Sequence, residues 1–468
     1  MKRSKQLYIL LGVLAVVGVV TFAVTRYEEK QEQIEVSGEV VLEIDPAAVQ
    51  TLSWEYDSET LAFHKDETWI YDTDEAFPVD EDKIDELLGV FEAFSAAFTI
   101  EDVSDYSQYG LDDPVCTISL STGDTDYEIQ LGDFSAMDSQ RYVSLGDGNV
   151  YLAAADPLDY FDATLRDMID NDEAPSFDTV QEIRFEGDQT YQIVYQEYTE
   201  DSSYTYCSDD VYFVQQEDNM LPLDTSRVES YLDAMSSLDL TDYVSYNVSE
   251  EELAEYGLDA PELSVTVTYV PDDSEGTAEF TLHISRDPDE QAAEDAEAED
   301  TEDEFTEEIT AYARVGESQI VYQITGDSYE SLMEAGYDDL RHYEVLTADF
   351  ADVTGLDITL EGESYTITAE GSGDDKTFYY GEEELDIADL QSALEDMGAA
   401  SFTDEEPSQK EEISLTVHLD NEAHPTVQID LYRYDGEQCL AVLDGTPTSL
   451  VPRYTVVDLI EAVNAIVL

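Results

Sequence analysis

Basic residues are the scarcest charged groups in this sequence. Among its 468 residues, 18 Lys and Arg stand against 113 Asp and Glu, which gives a formal net charge of −95. Neutralising nucleic-acid phosphates requires clustered Lys and Arg, and an anionic lipid surface or an acidic polymer would repel the chain for the same reason. The composition therefore excludes a nucleic-acid-binding protein. Because 42% of the residues are hydrophobic and 11% are aromatic, folded domains are favoured over disorder.

Cysteine is also rare, with three residues far apart in the chain: Cys116, Cys207 and Cys439. An odd number at these spacings excludes a disulfide framework and a cysteine-ligated zinc site. Unpaired cysteines suit the exterior of a bacterium that does not depend on disulfides.

Recognisable catalytic motifs are missing. The sequence has no Gly-x-Ser-x-Gly, Ser-x-x-Lys, Gly-Lys-Ser/Thr, Gly-x-Gly-x-x-Gly or His-Glu-x-x-His pattern. We therefore expect the protein not to be an enzyme. A carboxylate-dependent cell-wall hydrolase is a remote alternative, because among so many carboxylates some pairs must lie about 5 Å apart by chance.

Residues 7–24 form the one long uncharged run, and its length is that of a membrane-spanning helix. Positive charge is heavier in residues 1–6, and the positive-inside rule places that end in the cytoplasm. The sequence thus predicts a cytoplasmic tail at 1–6, a single transmembrane helix at 7–24 in contact with the lipid bilayer, and an extracytoplasmic chain after it. A cleaved signal peptide is the competing interpretation, although Thr21-Phe22-Ala23 is a poor cleavage site.

The remaining chain contains three copies of one unit. Each copy begins with strands in which apolar and polar residues alternate, continues with a helix that an Asp introduces, and ends with further alternating strands and a short closing helix. The introducing residues are Asp80, Asp224 and Asp386, which can cap the first helical turn. This order predicts an α+β fold of antiparallel sheets with helices. The predicted copies span 40–173, 174–348 and 349–468.

An acidic run interrupts the second copy at residues 287–308, where more than half of the side chains are Asp or Glu. Like charges repel one another and the run has few apolar residues, so we predict a mobile, solvated loop. A docking segment for a basic partner surface or for cations is the alternative.

The same six-residue turn follows the first helix in two copies, at 109–114 and 256–261, with the pattern Tyr-Gly-Leu-Asp-x-Pro. This turn, the N-terminal apolar segment and the tandem units resemble the bacterial family described as domain of unknown function 4340. The resemblance implies a membrane-anchored protein in a setting similar to accessory components of ABC-type transporters, and it implies no catalytic residues. The third copy departs from the pattern because it keeps only Pro407.

Oxygen-bearing side chains in turns are the candidate metal ligands, since hard cations such as calcium bind there. The calcium candidates are Asp124, Asp126, Asp147, Asn149, Asp374 and Asp375. None has EF-hand spacing, and residues chosen only for turn geometry remain the alternative. His418 and His424 could meet across a hairpin, but a structural role is favoured over a metal site.

The few cations occupy corresponding places in different copies. Lys83 and Arg227 precede the first apolar residue of their helices, and Arg141 and Arg314 lie in corresponding late strands. We predict that they form structural ion pairs, with anion binding as the alternative. Tyrosine outnumbers phenylalanine 32 to 16, which is typical of recognition surfaces but also of sheets that face solvent.

Two functions of different classes follow from these features. The first is a membrane-anchored extracytoplasmic interaction scaffold with a membrane-embedded protein partner, as in an accessory subunit of an ABC-type transporter. The second is an extracellular binding protein for divalent cations or a small cationic ligand, which the acidic field would concentrate. No cofactor is expected, and calcium is the alternative.

Overall fold

The structure, a computed structural model, describes most of the chain beyond the N-terminal apolar segment. The described residues are 38–199, 202–216, 219–272, 274, 276–297, 309–371 and 376–467. The predicted cytoplasmic tail and transmembrane helix lie outside them. Within the described ranges, no helix combines the length and the apolar character needed to cross a membrane.

The chain divides into two compact units, one that ends at Asn171 and one that comprises Asp172–Leu468. The first unit contains one nine-stranded antiparallel sheet and the second contains two such sheets. Fewer residues are helical than extended. The α+β class and the repeated antiparallel sheet predicted from the alternating pattern are thereby confirmed.

The first sheet has the strand order β1-β5-β9-β8-β7-β6-β2-β3-β4. Its strands are β1 (Glu39–Leu42), β2 (Thr51–Tyr56), β3 (Glu59–Lys65), β4 (Trp69–Tyr71), β5 (Phe94–Ile100), β6 (Cys116–Ser121), β7 (Asp126–Ser135), β8 (Gln140–Ser144) and β9 (Val150–Ala153). Helices α1 (Glu81–Gly89) and α2 (Leu158–Phe161) accompany it, with 3-10 turns at Pro46–Ala48, Ser107–Tyr109 and Leu165–Met168.

The second sheet has the order β13-β12-β11-β10-β15-β16-β17-β18-β14. Its strands are β10 (Val180–Gly187), β11 (Tyr191–Tyr195), β12 (Tyr212–Gln216), β13 (Asn219–Pro222), β14 (Tyr243–Ser245), β15 (Leu263–Tyr269), β16 (Ala278–Arg286), β17 (Ala311–Val315) and β18 (Val321–Ile324). The helices are α3 (Thr225–Ser236), α4 (Pro288–Glu297), α5 (Gly326–Met333) and α6 (Tyr337–Leu340), with a 3-10 turn at Glu252–Tyr256.

The third sheet has the order β22-β21-β20-β19-β24-β25-β26-β27-β23. Its strands are β19 (Val353–Leu360), β20 (Glu363–Glu370), β21 (Thr377–Tyr380), β22 (Glu383–Leu385), β23 (Ser401–Phe402), β24 (Glu411–Leu419), β25 (Thr426–Arg433), β26 (Gln438–Leu443) and β27 (Thr446–Pro452). The helices are α7 (Ala388–Glu395) and α8 (Arg453–Val467), with a 3-10 turn at Phe350–Asp352.

Eight strands correspond in all three sheets. Each copy contains two antiparallel meanders. The first strand of one meander pairs with the first strand of the other, and these pairs are β2 with β6, β10 with β15 and β19 with β24. The ninth strand is not equivalent, because β1 extends one edge of the first sheet whereas β13 and β22 extend the opposite edge of the other two. The eight-stranded pattern is therefore the repeated unit.

One face of each sheet packs against the helices. In the first copy Trp54 of β2 stacks on Phe63 and meets the edge of Phe161 of α2, with ring centroids 5.6 Å apart in both pairs. In the third copy Leu390 of α7 and Leu459 of α8 share a core cluster with the inward residues of β19 and β24. Because side chains alternate along a strand, the apolar residues at every second position of these strands all point to the side of the sheet that the helices cover.

Asp residues cap two of the three predicted helices as expected. The Asp80 side chain accepts from Lys83 N, and the Asp224 side chain accepts from the backbone nitrogens of Ser226 and Arg227. The third helix differs, since α7 has Ile387 at its N-cap and Asp386 accepts from Ala388 N at 3.3 Å one residue earlier.

The Tyr-Gly-Leu-Asp-x-Pro segment covers part of the sheet face opposite the helices. Tyr256 packs edge-on against Tyr312 of β17, with centroids 5.0 Å apart, and Tyr109 packs on Tyr142 of β8 at 4.9 Å. The glycine that follows each tyrosine has positive φ, 68° in Gly110 and 69° in Gly257. Such a left-handed residue ends the 3-10 turn and lets the chain turn back onto the sheet.

Replacement of Gly110 by alanine is expected to destabilise the first unit by about 2 kcal/mol, because an L residue strains at positive φ and the new Cβ meets a neighbour. That Cβ would lie 2.8 Å from the backbone nitrogen of Asp133. Gly146→Ala is the matched control, since Gly146 also has positive φ but a Cβ added there would have no atom within 4 Å. Urea unfolding should show a smaller loss for Gly146→Ala. Equal losses would exclude the crowding at Asp133.

Two segments differ from the sequence prediction. The closing helix of the first copy, which the sequence pattern predicts as one short helix from Tyr160 to Ile169, is divided into α2 and a 3-10 turn at Leu165–Met168. The acidic run begins with helix α4 rather than with a loop. Asp287 accepts from the backbone nitrogens of Asp289 and Glu290, and Glu290 in turn accepts from Thr310, so local hydrogen bonds outweigh the charge repulsion. Residues 298–308 of this run lie outside the described residues.

The three cysteines are unpaired, as predicted. Cys116 and Cys439 are buried and Cys207 is half-buried. Burial raises the pKa of Cys116 and of Cys207 to about 12, and that of Cys439 to about 11.

Candidate functional site

The central strands of each sheet keep one polar face that the helices do not cover. We define the open face as the outward residues of the three strands at the middle of each sheet: β2, β6 and β7; β10, β15 and β16; β19, β24 and β25. Ser119, Thr266 and Thr416 occupy its equivalent central positions, opposite Ser53, Arg184 and Asp357. Ser119 is exposed, and Thr266 and Thr416 are partly exposed.

Hydrogen bonds between side chains run across the open faces of the second unit. Thr266 and Thr281 share a hydrogen bond of 3.0 Å, and Ser264 bonds to His283 Nδ1 at 2.8 Å. In the third copy the Thr416 hydroxyl donates to Gln428 Oε1 at 2.6 Å. These side chains are thus ordered while they remain accessible to a partner.

A groove of about 320 Å³ lies between the second and third copies, both within the second unit. The connection from β11 to β12 is long, whereas the corresponding connection in the first copy is a short turn, and Tyr204, Thr205 and Tyr206 of the long connection supply one wall. Tyr206 of this connection packs against the core of the third copy and meets His424 edge-on, with centroids 5.9 Å apart. The hydroxyl of Tyr198 also accepts from Asn421 Nδ2 at 3.2 Å. The connection therefore attaches the second copy to the third.

Aromatic rings and Arg341 line the same groove, and Arg227 lies against one of these rings. Tyr343 stacks on Phe402 at 5.4 Å between centroids. The Arg341 guanidinium carbon lies 4.1 Å from the Phe402 centroid, and that of Arg227 lies 3.7 Å from the Tyr343 centroid. Cations above aromatic faces are attracted by the ring quadrupole. One groove arginine, Arg341, and one neighbouring arginine, Arg227, are thus held against the aromatic rings of the groove.

A buried carboxylate orients a histidine at the edge of the groove. The side chain of Asp210 is 1% exposed, and one of its oxygens lies 2.7 Å from His342 Nε2. Its other oxygen accepts from the Thr205 hydroxyl. Because a carboxylate accepts hydrogen bonds, the Nε2 atom carries a proton and the Nδ1 atom of His342 faces away from Asp210.

Two further carboxylates surround His342. Its Nδ1 atom lies 3.8 Å from Glu344 Oε2. One oxygen of Asp224, one ring nitrogen of His342 and one oxygen of Glu344 all lie within 4.8 Å of one another. Burial alone would lower the pKa of His342, but the hydrogen bond to Asp210 and the charges of Asp210, Asp224 and Glu344 raise it overall. The arrangement therefore favours a cation at this position.

The calcium candidates among the described residues lie in two separate turns. Asp124 and Asp126 lie at the turn between β6 and β7, where Asp126 accepts from the Ser121 hydroxyl at 2.7 Å. Asp147 and Asn149 lie at the turn between β8 and β9, where Asp147 accepts from Asn149 N and from the Tyr151 hydroxyl. In both turns the carboxylates stabilise the turn itself. Asp374 and Asp375 lie outside the described residues.

The predicted pairing of the basic residues holds in part. Lys83 contacts Glu86 at 2.7 Å, and Arg141 contacts Asp156 at 2.7 Å with both side chains about one-tenth exposed. Arg314 instead donates to the backbone oxygen of Ser318 at 2.6 Å. Arg227 lies 3.5 Å from Asp224 in addition to its contact with Tyr343.

The two histidines of the third copy do not meet across the hairpin. His418 Nε2 lies 2.8 Å from Asp357 Oδ2, on the neighbouring strand. His424 lines the groove, and its Nε2 atom is buried without a hydrogen-bond partner among the described residues. The sequence hypothesis therefore missed His342 and Asp210 as a pair. The sequence signal that could have pointed to this region is the group of tyrosines in the polar segment 198–206, which precedes Asp210.

Comparison with known proteins gives one result that bears on identity. Neither the curated proteins nor the solved structures contain a match. A family model matches residues 69–205 and 214–416, which is most of the chain and includes both Tyr-Gly-Leu-Asp-x-Pro turns. The chain belongs to the family described as Domain of unknown function (DUF4340).

Proposed function

We propose that this protein is a membrane-anchored extracytoplasmic interaction scaffold that binds a membrane-embedded partner protein through its open faces. The observation that carries this proposal is the threefold repetition of an accessible polar face on the same central strands, with side-chain hydrogen bonds across it in the second and third copies. The buried core of the third copy consists of inward residues of its strands and helices, with Tyr206 of the second copy packed against it, and the outward residues of the open face take no part in it.

The composition of these faces suits protein recognition. Ser, Thr, Gln and His side chains present both donors and acceptors, and interfaces of reversible complexes contain about one hydrogen bond per 100–200 Å². Neighbouring strands hold these groups about 4.8 Å apart, so a partner meets a regular array. The predicted membrane segment at 7–24 supports a partner in the same membrane, such as the permease of an ABC-type transporter.

Mild crosslinking in intact membranes, followed by affinity capture and mass spectrometry, tests this function. We expect a membrane-embedded protein to be recovered in amounts comparable to the bait. Thr266→Arg and Thr416→Arg place a bulky charge on the open faces and should reduce that recovery about tenfold, which corresponds to about 1.4 kcal/mol of binding free energy.

Glu229→Arg is the matched control, because Glu229 is an exposed residue on α3, away from the open faces. It introduces the same side chain and should leave recovery unchanged. Recovery of the bait alone from wild-type membranes would overturn the proposal, as would equal loss in all three variants.

A further inference from the structure

We propose that Asp224, His342 and Glu344 form a zinc site at the edge of the groove, with Asp210 as the residue that orients His342. This inference is independent of the proposed scaffold function. It starts from the finding that the three potential ligand atoms lie within 4.8 Å of one another. No other group of three such side chains is found in the described part of the chain.

The local chain geometry brings the ligands together. Asp224 is the N-cap of α3, and its backbone nitrogen donates to Leu340 O at 3.0 Å, which joins the start of α3 to the end of α6. His342 and Glu344 follow two residues apart in extended chain, where alternate side chains point the same way. Glu344 forms an isolated bridge with Gly398 of the third copy. The ligands thus come from the second copy and from the segment that joins it to the third.

The hydrogen bond between His342 and Asp210 is the second, independent observation. In protein zinc sites the ligating histidine almost always donates its other ring N–H to a carboxylate or carbonyl, which fixes the ring and increases ligand basicity. Asp210 is nearly fully buried and accepts from both His342 and Thr205. A buried carboxylate so placed leaves Nδ1 of His342, which lies 3.8 Å from Glu344 Oε2, as the nitrogen available to a metal.

The donor set favours zinc over calcium. Zinc binds imidazole nitrogen and carboxylate oxygen at about 2.0–2.2 Å, whereas calcium takes six to eight oxygen ligands. Ligand atoms around a tetrahedral zinc are about 3.4 Å apart, so a pair at the 4.8 Å limit must approach by about 1.4 Å on binding. Glu344 can supply this movement, because its side chain is 50% exposed. The groove leaves the fourth position open to water or to a ligand.

Two cations compete for these groups. One is the proton on His342, which a metal would replace. The other is Arg227, whose Nε atom lies 3.5 Å from Asp224 Oδ2. Since Arg227 also stacks on Tyr343, its guanidinium keeps a favourable contact when Asp224 turns to a metal. Oδ1 of Asp224 remains the helix cap, which leaves Oδ2 for the metal.

Isothermal titration of the full chain with Zn²⁺ tests the site, in physiological salt and with Ca²⁺ in large excess so that nonspecific binding to the acidic surface is saturated. We expect one equivalent of zinc to bind. Glu344→Gln and His342→Gln should each weaken binding by about tenfold or more, and Asp210→Asn should weaken it about 10- to 100-fold although it removes no ligand.

His418→Gln is the matched control, because His418 also pairs with an aspartate, at 2.8 Å, but belongs to no cluster of three ligands among the residues that the structure describes. It should leave the tight equivalent intact. Glu344→Gln is the decisive variant, since this half-exposed residue can change without loss of folding, which unchanged circular dichroism would verify. Retention of the tight equivalent in Glu344→Gln, its loss in His418→Gln, or the absence of calcium-resistant zinc binding would overturn the proposal.

Discussion

Replacement of Arg141 by methionine is expected to lower the free energy of unfolding of the first unit by about 3–5 kcal/mol, because it leaves a buried carboxylate without its partner. Arg141 Nε donates to both oxygens of Asp156, at 2.7 and 3.0 Å, and its terminal nitrogen donates to Gly132 O at 2.8 Å. Both side chains are about one-tenth exposed, so little water could replace these bonds.

The measurement can be confined to the first unit. Both tryptophans of the chain, Trp54 and Trp69, belong to that unit, so urea unfolding followed by tryptophan emission reports on it alone. Lys83→Met is the control, because the Lys83–Glu86 pair is at the surface and such pairs contribute about 0–1 kcal/mol. A shift for Arg141→Met no larger than that of the control would show that Asp156 is satisfied without the arginine.

Replacement of Phe161 by alanine is expected to cost a similar amount, about 3–5 kcal/mol, because it empties the middle of an aromatic cluster. Phe161 is fully buried, and its ring lies 5.6 Å from those of both Trp54 and Phe91. It belongs to α2, so its loss would weaken the packing of this helix against the sheet. The midpoint of the tryptophan-detected transition gives the change in stability.

Tyr160→Ala is the matched control for this core substitution. Tyr160 is the preceding residue of the same short helix and is 36% exposed, so its removal tests helix propensity without opening the core. We expect it to cost less than about 1 kcal/mol, the usual range for partly exposed positions. If both variants lose the same stability, the cluster around Trp54 is not what holds the helix in place.

Local signals in the sequence predicted the strands and helices well. Apolar residues at every second position placed the inward faces of β2, β15 and β24, and Asp80 and Asp224 marked the starts of two helices. The order of strands in the sheet could not be predicted, because the pairing of β2 with β6 joins segments about 60 residues apart and depends on the packing of the whole copy.

The candidate site could not be predicted from the sequence either, because its residues are distant along the chain. His342 and Asp210 are separated by 132 residues, and each resembles an ordinary polar turn residue when considered alone. Their proximity depends on the connection at 196–211, which has no counterpart of similar length in the first copy. The calcium candidates were prominent in the sequence because Asp and Gly cluster in turns, although the same residues are what turn geometry requires.

The burial of Cys116 and Cys439, and the partial burial of Cys207, should make the natural cysteines slow to react with thiol reagents. A thiol with a pKa of about 11 or 12 is almost wholly protonated at neutral pH, and maleimides react with the thiolate. The native protein should therefore remain nearly unlabelled, and a cysteine introduced at Ser119 on the open face would be the single fast-reacting position. A fluorophore or crosslinker could then be attached to one chosen strand without first removing the natural cysteines.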